Sequence, residues 1–193
     1  MTPSWPRERW ELESLQSELA RLRPRPWPAP AVPRVGAVFA CGPRGGDGTA
    51  GDPGWAAAVA GADWAVVTGE LGAPYAPGLL ALRVGVLLER AVRALATLPD
   101  VLLVDATGRD HPRRGGLALH LGWVLDLPTI GVTARRLHDG EGALRSSGRL
   151  WVHAGWRTDA ETALRVVESV SGLARTPEPL RQARRLARTA RSY

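Results

Sequence analysis

Apolar residues near the N-terminus recur with the spacing of an amphipathic helix. The leucines on the predicted apolar face are Leu12, Leu15, Leu19 and Leu22. They fall on one side of a helix, because side chains three or four residues apart share a face. A proline-rich stretch at residues 23–33 ends this helix, since each proline lacks an amide donor and restricts its predecessor. We therefore expect residues 1–33 to form a helix and a stiff connector, appended to a core at residues 34–193.

Short apolar runs bounded by glycine, proline or aspartate predict the strands of that core. The predicted strands are residues 35–41, 54–61, 63–71, 101–105, 129–133 and 150–155. The run at 101–105 is continuously apolar until Asp105, which is typical of a central strand covered on both faces. Residues 42–54 are rich in glycine and aspartate and predict a loop.

Longer segments with helical periodicity alternate with these strands in the second half of the chain. The predicted helices are residues 78–98, 115–125, 159–170 and 177–190. Such alternation favours an α/β fold with a mixed β-sheet flanked by helices. A chain of 193 residues with 45% hydrophobic content is the size of a single domain.

The charge of the chain favours a polyanionic partner. All 25 Lys+Arg positions are arginine, and the formal net charge is +6. Such a surplus favours DNA or RNA as a partner. The alternative is that much of the charge lies on a solvated face of the last helix, where it needs no partner.

Membrane insertion and disulfide bonding are not expected. The sequence has no apolar run near the ~20 residues that span a bilayer, and charge and proline interrupt its N-terminus. Cys41 is the single cysteine, so an intramolecular disulfide is excluded. We expect a cytoplasmic protein with no membrane partner.

Three segments in order resemble endonuclease V. They read PYAPGLLALR at 74–83, LLVDATGRDHPRRGGLALHLG at 102–122 and LPTIGVTARRL at 127–137. The resemblance implies a ribonuclease H-like fold. It also implies the activity of that family, which is cleavage of DNA or RNA near hypoxanthine. That activity needs carboxylates that hold Mg²⁺ or Mn²⁺ at the scissile phosphate.

The carboxylates that this resemblance requires are largely replaced. Val38 and Val84 stand at two of the family's metal-ligand positions, and Ala134 stands where the family has a lysine. Asp105 and His111 remain as remnants of the catalytic set. Because hydrocarbon side chains cannot bind a divalent ion, we expect no metal cofactor and no metal-dependent cleavage.

The recognition framework is better preserved. The resemblance implies that Tyr75 is a wedge beside the target base. The positions that match the family's base pocket are Gly78, Leu80, Gly116, Leu117 and Leu137. Arg113 and Arg114 are expected to bind phosphate, because a guanidinium is permanently charged and can bind through paired donors. Ala106 replaces a glycine and is expected to narrow the pocket. Trp156 stands near a histidine that the family has, and is expected to fill part of the cleft.

These observations favour a catalytically inactive member of the family that binds deaminated, inosine-type sites. The first alternative is a divergent enzyme, acting on inosine-containing nucleic acid or on a small molecule. It would use some combination of Asp105, Asp110, His111 and Glu70. The second alternative is a protein-interaction subunit or homodimer. His120 is expected to be a satisfied histidine within a helix.

Overall fold

A seven-stranded mixed sheet forms the centre of the described structure, a computed structural model that covers residues 4–45, 48–135, 143–146 and 150–192. For residues 143–146 the backbone alone is described. The helices are α1 Arg9–Arg21, α2 Leu80–Arg93, α3 Leu117–Leu125, α4 Ala160–Ser169 and α5 Glu178–Ala190. The strands are β1 Val35–Cys41, β2 Pro53–Ala60, β3 Asp63–Glu70, β4 Val101–Val104, β5 Thr129–Thr133, β6 Ala143–Ser146 and β7 Leu150–Ala154.

The strand order across the sheet is β3-β2-β1-β4-β5-β7-β6. Strand β4 pairs in parallel with β1 and β5, and the outer pairs are antiparallel. The predicted α/β fold with a mixed sheet is therefore confirmed. The prediction omitted β6, because its short sequence ALRS has no apolar run or alternation to mark it.

Helices cover both faces of the sheet. Along β4, Leu102 and Val104 pack with α2 and α3, whereas Val101 and Leu103 pack with α4 and α5. All four side chains are buried, as a central strand requires. The carboxyl ends of the parallel strands β1, β4 and β5 consequently meet at one edge, where α/β sheets commonly bind ligands.

The first helix is part of the core, so its interpretation as an appendage is wrong. Leu12 packs into the cluster beneath α2 and α3, and Leu19 packs against Leu119 and Trp123 of α3. The chain before α1 is also anchored, because the Trp5 indole donates a hydrogen bond to Glu89 at 2.6 Å. The proline-rich connector thus leads away from a docked helix.

Helix α2 is shorter than predicted. Gly78 has a φ of +77°, outside the helical region, and α2 begins at Leu80. It ends at Arg93, before the turn that leads into β4. Among the described helices, none has the length and apolar character needed to cross a membrane. The cytoplasmic location stays a prediction.

Candidate functional site

Two adjoining cavities open at the edge where β1, β4 and β5 end. They share Tyr75, Leu80, Asp105 and Leu117 in their walls. The larger one, here called the main pocket, has a volume of about 420 Å³. This size falls within the ~300–1,000 Å³ typical of small-molecule sites. The smaller one, here called the inner cavity, has a volume of about 230 Å³.

The inner cavity brings together the three positions at which the resemblance predicts metal ligands. Val38 from β1, Val84 from α2 and Asp105 after β4 line the same space. Val38 and Val84 are buried and present hydrocarbon to it. Within the described residues, no group of three His, Cys, Asp or Glu side chains comes together to hold a metal ion. These residues do not fit a Mg²⁺ or Mn²⁺ site, since such ions need several oxygen ligands.

Asp105 is instead paired with an arginine. The guanidinium of Arg184, on α5, donates a hydrogen bond to Asp105 Oδ2 at 2.8 Å. Arg184 and Arg188 also stack over the Phe39 ring, with 5.7 and 5.6 Å to its centroid. A cation belonging to the chain therefore contacts the carboxylate that the family gives to a metal ion.

Arg184 was not among the predicted site residues, because the charge of the last helix was assigned either to a polyanionic partner or to a solvated face. A signal was available in the spacing of small and apolar residues. Leu180, Ala183 and Ala187 are fully buried on one side of α5. Arg184 lies four residues after Leu180, so it shares the edge of that buried side.

His111 lies on the wall of the main pocket and holds the turn before α2. Its Nδ1 accepts a hydrogen bond from the Arg113 amide at 3.1 Å, so Nε2 carries the proton and donates to Gly78 O at 3.2 Å. Gln16, from α1, donates to the same carbonyl at 3.0 Å. The Arg113 guanidinium donates to Gln16 Oε1 at 2.6 Å. This network fixes one side of the pocket.

The predicted nucleic-acid-binding residues occupy different places. Tyr75 is 54% exposed at the mouth shared by both cavities, and Gly78, Leu80 and Leu117 line the main pocket. Gly116 precedes α3, where a Cβ atom would lie 2.4 Å from Thr107 O. Its role is to let α3 approach the loop after β4. Leu137 lies outside the described residues.

The two arginines after His111 do not line the main pocket. The Arg113 guanidinium contacts α1 instead, because it donates a hydrogen bond to Gln16 and its Nη1 lies 3.6 Å from Glu13 Oε1. Arg114 has a φ of +56° and lines a separate groove that also contains Arg23 and Arg109. Burial, followed by the charges of Arg23 and Arg114, lowers the pKa of Arg109. Phosphate binding by Arg113 and Arg114 stays a prediction.

The structure also places Trp156, Ala106 and Glu70, three residues that the sequence linked to the cleft. Trp156 does not enter the cleft, so that prediction is wrong. It packs with Leu19 and Trp123 beneath α1 and α3, and its Nε1 donates to Asp126 at 3.2 Å. Ala106 lines the main pocket, and the narrowing expected from its methyl group stays a prediction. Glu70 is exposed on β3 and lines neither cavity.

His120 is buried within α3, and the predicted hydrogen-bond satisfaction is met at Nε2 only, because no described residue pairs with its buried Nδ1. Its Nε2 lies 3.1 Å from Ser4 O, and its ring centroid lies 4.2 Å from that of Trp5. Burial lowers the pKa of His120 to about 4. The imidazole is therefore neutral at physiological pH and anchors the N-terminal segment.

A buried chain of three polar side chains ends at the main pocket. His153 Nδ1 contacts Asp110 Oδ2, and His153 Nε2 lies 2.8 Å from Thr133 Oγ1. Burial alone would raise the pKa of Asp110, but the hydrogen bond and charge of His153, with two backbone amides, lower it overall. Asp110 was among the candidate residues, whereas Thr133 and His153 were missed. A histidine within the apolar run LWVHA was the available signal for this buried network.

Comparison with known proteins identifies the family. A family model described as Endonuclease V matches residues 56–148. Endonuclease V of Thermus thermophilus is 39% identical over 136 residues, covering 57% of this chain and 60% of that protein. Endonuclease V of Nocardia farcinica is 39% identical over 149 residues, covering 65% and 66% respectively. The chain belongs to the endonuclease V family.

Solved endonuclease V structures extend the likeness to nearly the whole chain. The enzyme from Streptomyces avermitilis superposes with a TM-score of 0.80 and 29% identity, covering 98% of this chain and 97% of that one. The catalytic domain of human endonuclease V gives a TM-score of 0.77 at 26% identity, covering 96% of each chain. The sequence alignment to the Thermus relative spans only 60% of that protein.

Proposed function

We propose that this protein binds nucleic acid at deaminated, inosine-type bases and does not cut it by the metal-dependent route of its family. The observation that carries the proposal is the inner cavity. Val38 and Val84 line it, and its one carboxylate, Asp105, is held by Arg184 at 2.8 Å. Beside it, the main pocket keeps the turn, the leucines and the exposed tyrosine of the family's base site.

The electrostatics of the inner cavity argue against a divalent ion. An ion at Asp105 would have to displace the Arg184 guanidinium and lose hydration water against valine side chains. Loss of a single preorganised contact typically costs about 10²–10³ in rate. Two missing ligands therefore predict the loss of ordinary turnover, so the protein uses no metal cofactor at this site.

The main pocket supports binding of an extruded base. Its walls include Leu80 and Leu117, and Gly78 leaves the backbone accessible. Tyr75, exposed at the mouth, can cover the space that a flipped base vacates. A Ciona intestinalis endonuclease V of the same fold is described in complex with DNA containing an inosine followed by a ribo-adenosine. We transfer that class of ligand to this chain as part of the proposal.

A basic surface adjoins the cleft and supports contact with the phosphate backbone. Arg181, Arg185 and Arg188 of α5 line a shallow groove with Arg44 from the loop after β1. Helix α5 is also the element whose Arg184 enters the cleft. Arginine binds phosphate through planar, paired donors, so this face suits a nucleic-acid strand.

The test is the binding of oligonucleotides that differ only in inosine or adenosine at one position. Single- and double-stranded forms are measured by fluorescence anisotropy at two salt concentrations. We expect inosine to bind more tightly, with affinity falling as salt rises. Tyr75→Ala should weaken inosine binding by about tenfold, because stacking on an aromatic ring is worth about 1–3 kcal/mol.

Trp64→Ala is the matched control, since Trp64 is a 56% exposed aromatic on the edge strand β3 and lines neither cavity. Its binding should equal that of the unmodified protein. Equal affinity for inosine and adenosine in every form, or equal losses in both variants, would contradict the proposal.

An enzymatic alternative has one specific observation in its favour. Asp105 and His111 are both engaged, with Arg184 and with the Gly78 carbonyl respectively. The observation in favour of an enzyme is the chain of Thr133, His153 and Asp110, in which a hydroxyl, an imidazole and a carboxylate are in contact. A homodimer or protein partner stays a prediction.

A further inference from the structure

Thr133, His153 and Asp110 have the connectivity of a nucleophile, a base and a carboxylate that orients the base. The hydroxyl lies 2.8 Å from Nε2 of the imidazole, within the ~2.6–3.2 Å reach of a nucleophile and its base. The other ring nitrogen contacts the Asp110 carboxylate. That carboxylate is ionised, because its pKa is lowered despite burial. It therefore stabilises the imidazolium that forms when His153 takes a proton.

The three residues differ in burial. His153 is fully buried, Asp110 is 6% exposed, and Thr133 lies at the end of β5 on the wall of the main pocket. The base is thus protected from solvent, and the hydroxyl is the member that a ligand in the pocket can reach. Residues from the loop after β4, from β5 and from β7 converge here. No two of them are neighbours in the sequence.

The surroundings of Thr133 favour an uncharged carbonyl compound. The walls carry hydrocarbon from Leu80, Ala81, Ala106, Leu117 and Ala134, which suits an apolar group. The Asp105 carboxylate lies in the same wall and disfavours an anionic ligand, although Arg184 offsets part of its charge. Arg135 also lines the pocket, and its positive charge favours negative charge developing on a carbonyl oxygen.

The geometry points to a second activity in the main pocket: hydrolysis of carboxylic esters with a small apolar acyl group, through an acyl-Thr133 intermediate. Thr133 Oγ1 attacks the carbonyl carbon and passes its proton to His153 Nε2. The bond from the acyl carbon to the alcohol oxygen breaks, and His153 returns the proton to the departing alkoxide. Water then attacks the acyl carbon and gives a proton to Nε2. The carboxylic acid leaves, and the proton returns to Oγ1.

The Thr133 hydroxyl has two acceptors for its single proton. Arg135 O lies 2.7 Å from Oγ1, and His153 Nε2 lies 2.8 Å from it. Rotation of the hydroxyl hydrogen toward His153 gives the reactive arrangement.

The test uses p-nitrophenyl butyrate with the whole 193-residue chain. We expect a burst of p-nitrophenolate, steady turnover, and a butyryl group on the Thr133 peptide by mass spectrometry. Thr133→Val keeps the shape of the side chain without its hydroxyl and should lower the rate at least about a hundredfold. Thr133→Ser should retain acylation at residue 133. Equal melting temperatures of the variants establish that folding is unchanged.

Asp110 acts through His153 and is a positioning residue. Asp110→Asn should lower kcat with little change in KM, and should abolish a strongly downfield Nδ1 proton resonance of His153. Cys41→Ala is the control for unwanted acylation of the thiol and should leave the rate unchanged. Burial raises the pKa of that thiol, which makes it a poor nucleophile.

Hydrolysis by Thr133→Val at the unmodified rate would overturn the inference. Absence of both turnover and an adduct in the unmodified protein would also overturn it. The inference does not rest on nucleic-acid binding, and the inosine binding of Thr133→Val is measured separately. Loss of esterase activity with retained oligonucleotide binding separates the two proposals.

Discussion

Two valines change what a single aspartate can do. The resemblance to the family predicts carboxylates at these positions, whereas Val38 and Val84 leave Asp105 with Arg184 as its counter-charge. The pair is about three-quarters buried, with 27% and 28% of the two side chains exposed. A guanidinium held in this way can neutralise the carboxylate but cannot activate water as a metal ion does.

Asp105→Asn should therefore leave nucleic-acid binding intact or strengthen it severalfold. Removing the negative charge frees the Arg184 guanidinium to contact phosphate and removes repulsion of the backbone. Anisotropy titrations of the variant beside the unmodified protein measure this. Weaker binding by Asp105→Asn, with an unchanged melting temperature, would mean that the carboxylate itself contacts the ligand.

His120 gives a prediction for stability against pH. Its pKa is lowered by burial to about 4 in the folded protein, from an ordinary value of 6.5. The unfolded chain then binds more protons between these two values, so stability is lost as pH falls from 6.5 to 4. The loss is about 3 kcal/mol and is complete below the folded pKa.

His120→Gln keeps a hydrogen-bond donor for Ser4 O and does not titrate. The fall in its unfolding free energy over the same pH range should be smaller by about 3 kcal/mol. Chemical denaturation at several pH values provides the measurement. An identical pH dependence in the variant would show that other groups cause the loss.

Residues within a motif could be placed from the sequence, whereas residues that meet across the fold could not. Tyr75, Val84 and Asp105 lie in or directly beside segments whose order indicates the site. Arg184 is 79 positions from its partner Asp105, and His153 reaches Thr133 only because β7 pairs with β5. No local spacing encodes those contacts.

At the scale of elements, α1 is the clearest departure from expectation. Its leucine pattern predicted a helix, and the helix is present. The pattern does not say what covers the apolar face, and the prolines after it suggested separation. In the fold, α1 packs against the core, and its Gln16, which is 2% exposed, forms part of the wall of the main pocket. The same limit applies to β6, whose sequence gives no strand signal.

Leu19→Ala should destabilise the protein by about 2–5 kcal/mol, as for other buried leucines truncated in a core. Leu19 is fully buried against α3, whereas Trp10 on the same helix is 69% exposed. Trp10→Ala should therefore change the unfolding free energy by less than about 0.5 kcal/mol. Urea denaturation compares the two. Equal, small effects would restore the appendage interpretation of α1.

Two arginine-lined grooves are candidates for binding the phosphate backbone of a nucleic acid. One is the α5 groove containing Arg185 and Arg188, and the other contains Arg23 and Arg114. We expect the α5 groove to dominate, because its helix borders the cleft. Replacing Arg185 and Arg188 together by glutamine should reduce the slope of log affinity against log salt by about 1–2.

The same double replacement of Arg23 and Arg114 is the matched control, since it removes an equal charge. Its salt slope should fall by less than that of the α5 variant, because Arg114 is the one residue of this pair that is predicted to bind phosphate. A larger fall in salt slope for the Arg23 and Arg114 variant than for the α5 variant would place the nucleic-acid backbone beside the loop after β4.

The whole molecule shares its fold with solved endonuclease V structures, whereas its inner cavity contains valines at predicted metal-ligand positions. The sheet order and both helical layers support the family's fold, and the strands could be predicted because buried strands are apolar runs. The chemistry of the centre depends on a few substitutions that the fold tolerates. Valines fit a buried cavity at least as well as carboxylates, whose mutual repulsion needs a cation to offset it.

The most direct measurement is cleavage of inosine-containing DNA and RNA with Mg²⁺ and with Mn²⁺, at protein concentrations that saturate binding. The account predicts bound but uncut oligonucleotides in both metals. Cleavage at the inosine site that depends on Mn²⁺ and disappears in Asp105→Ala would contradict it.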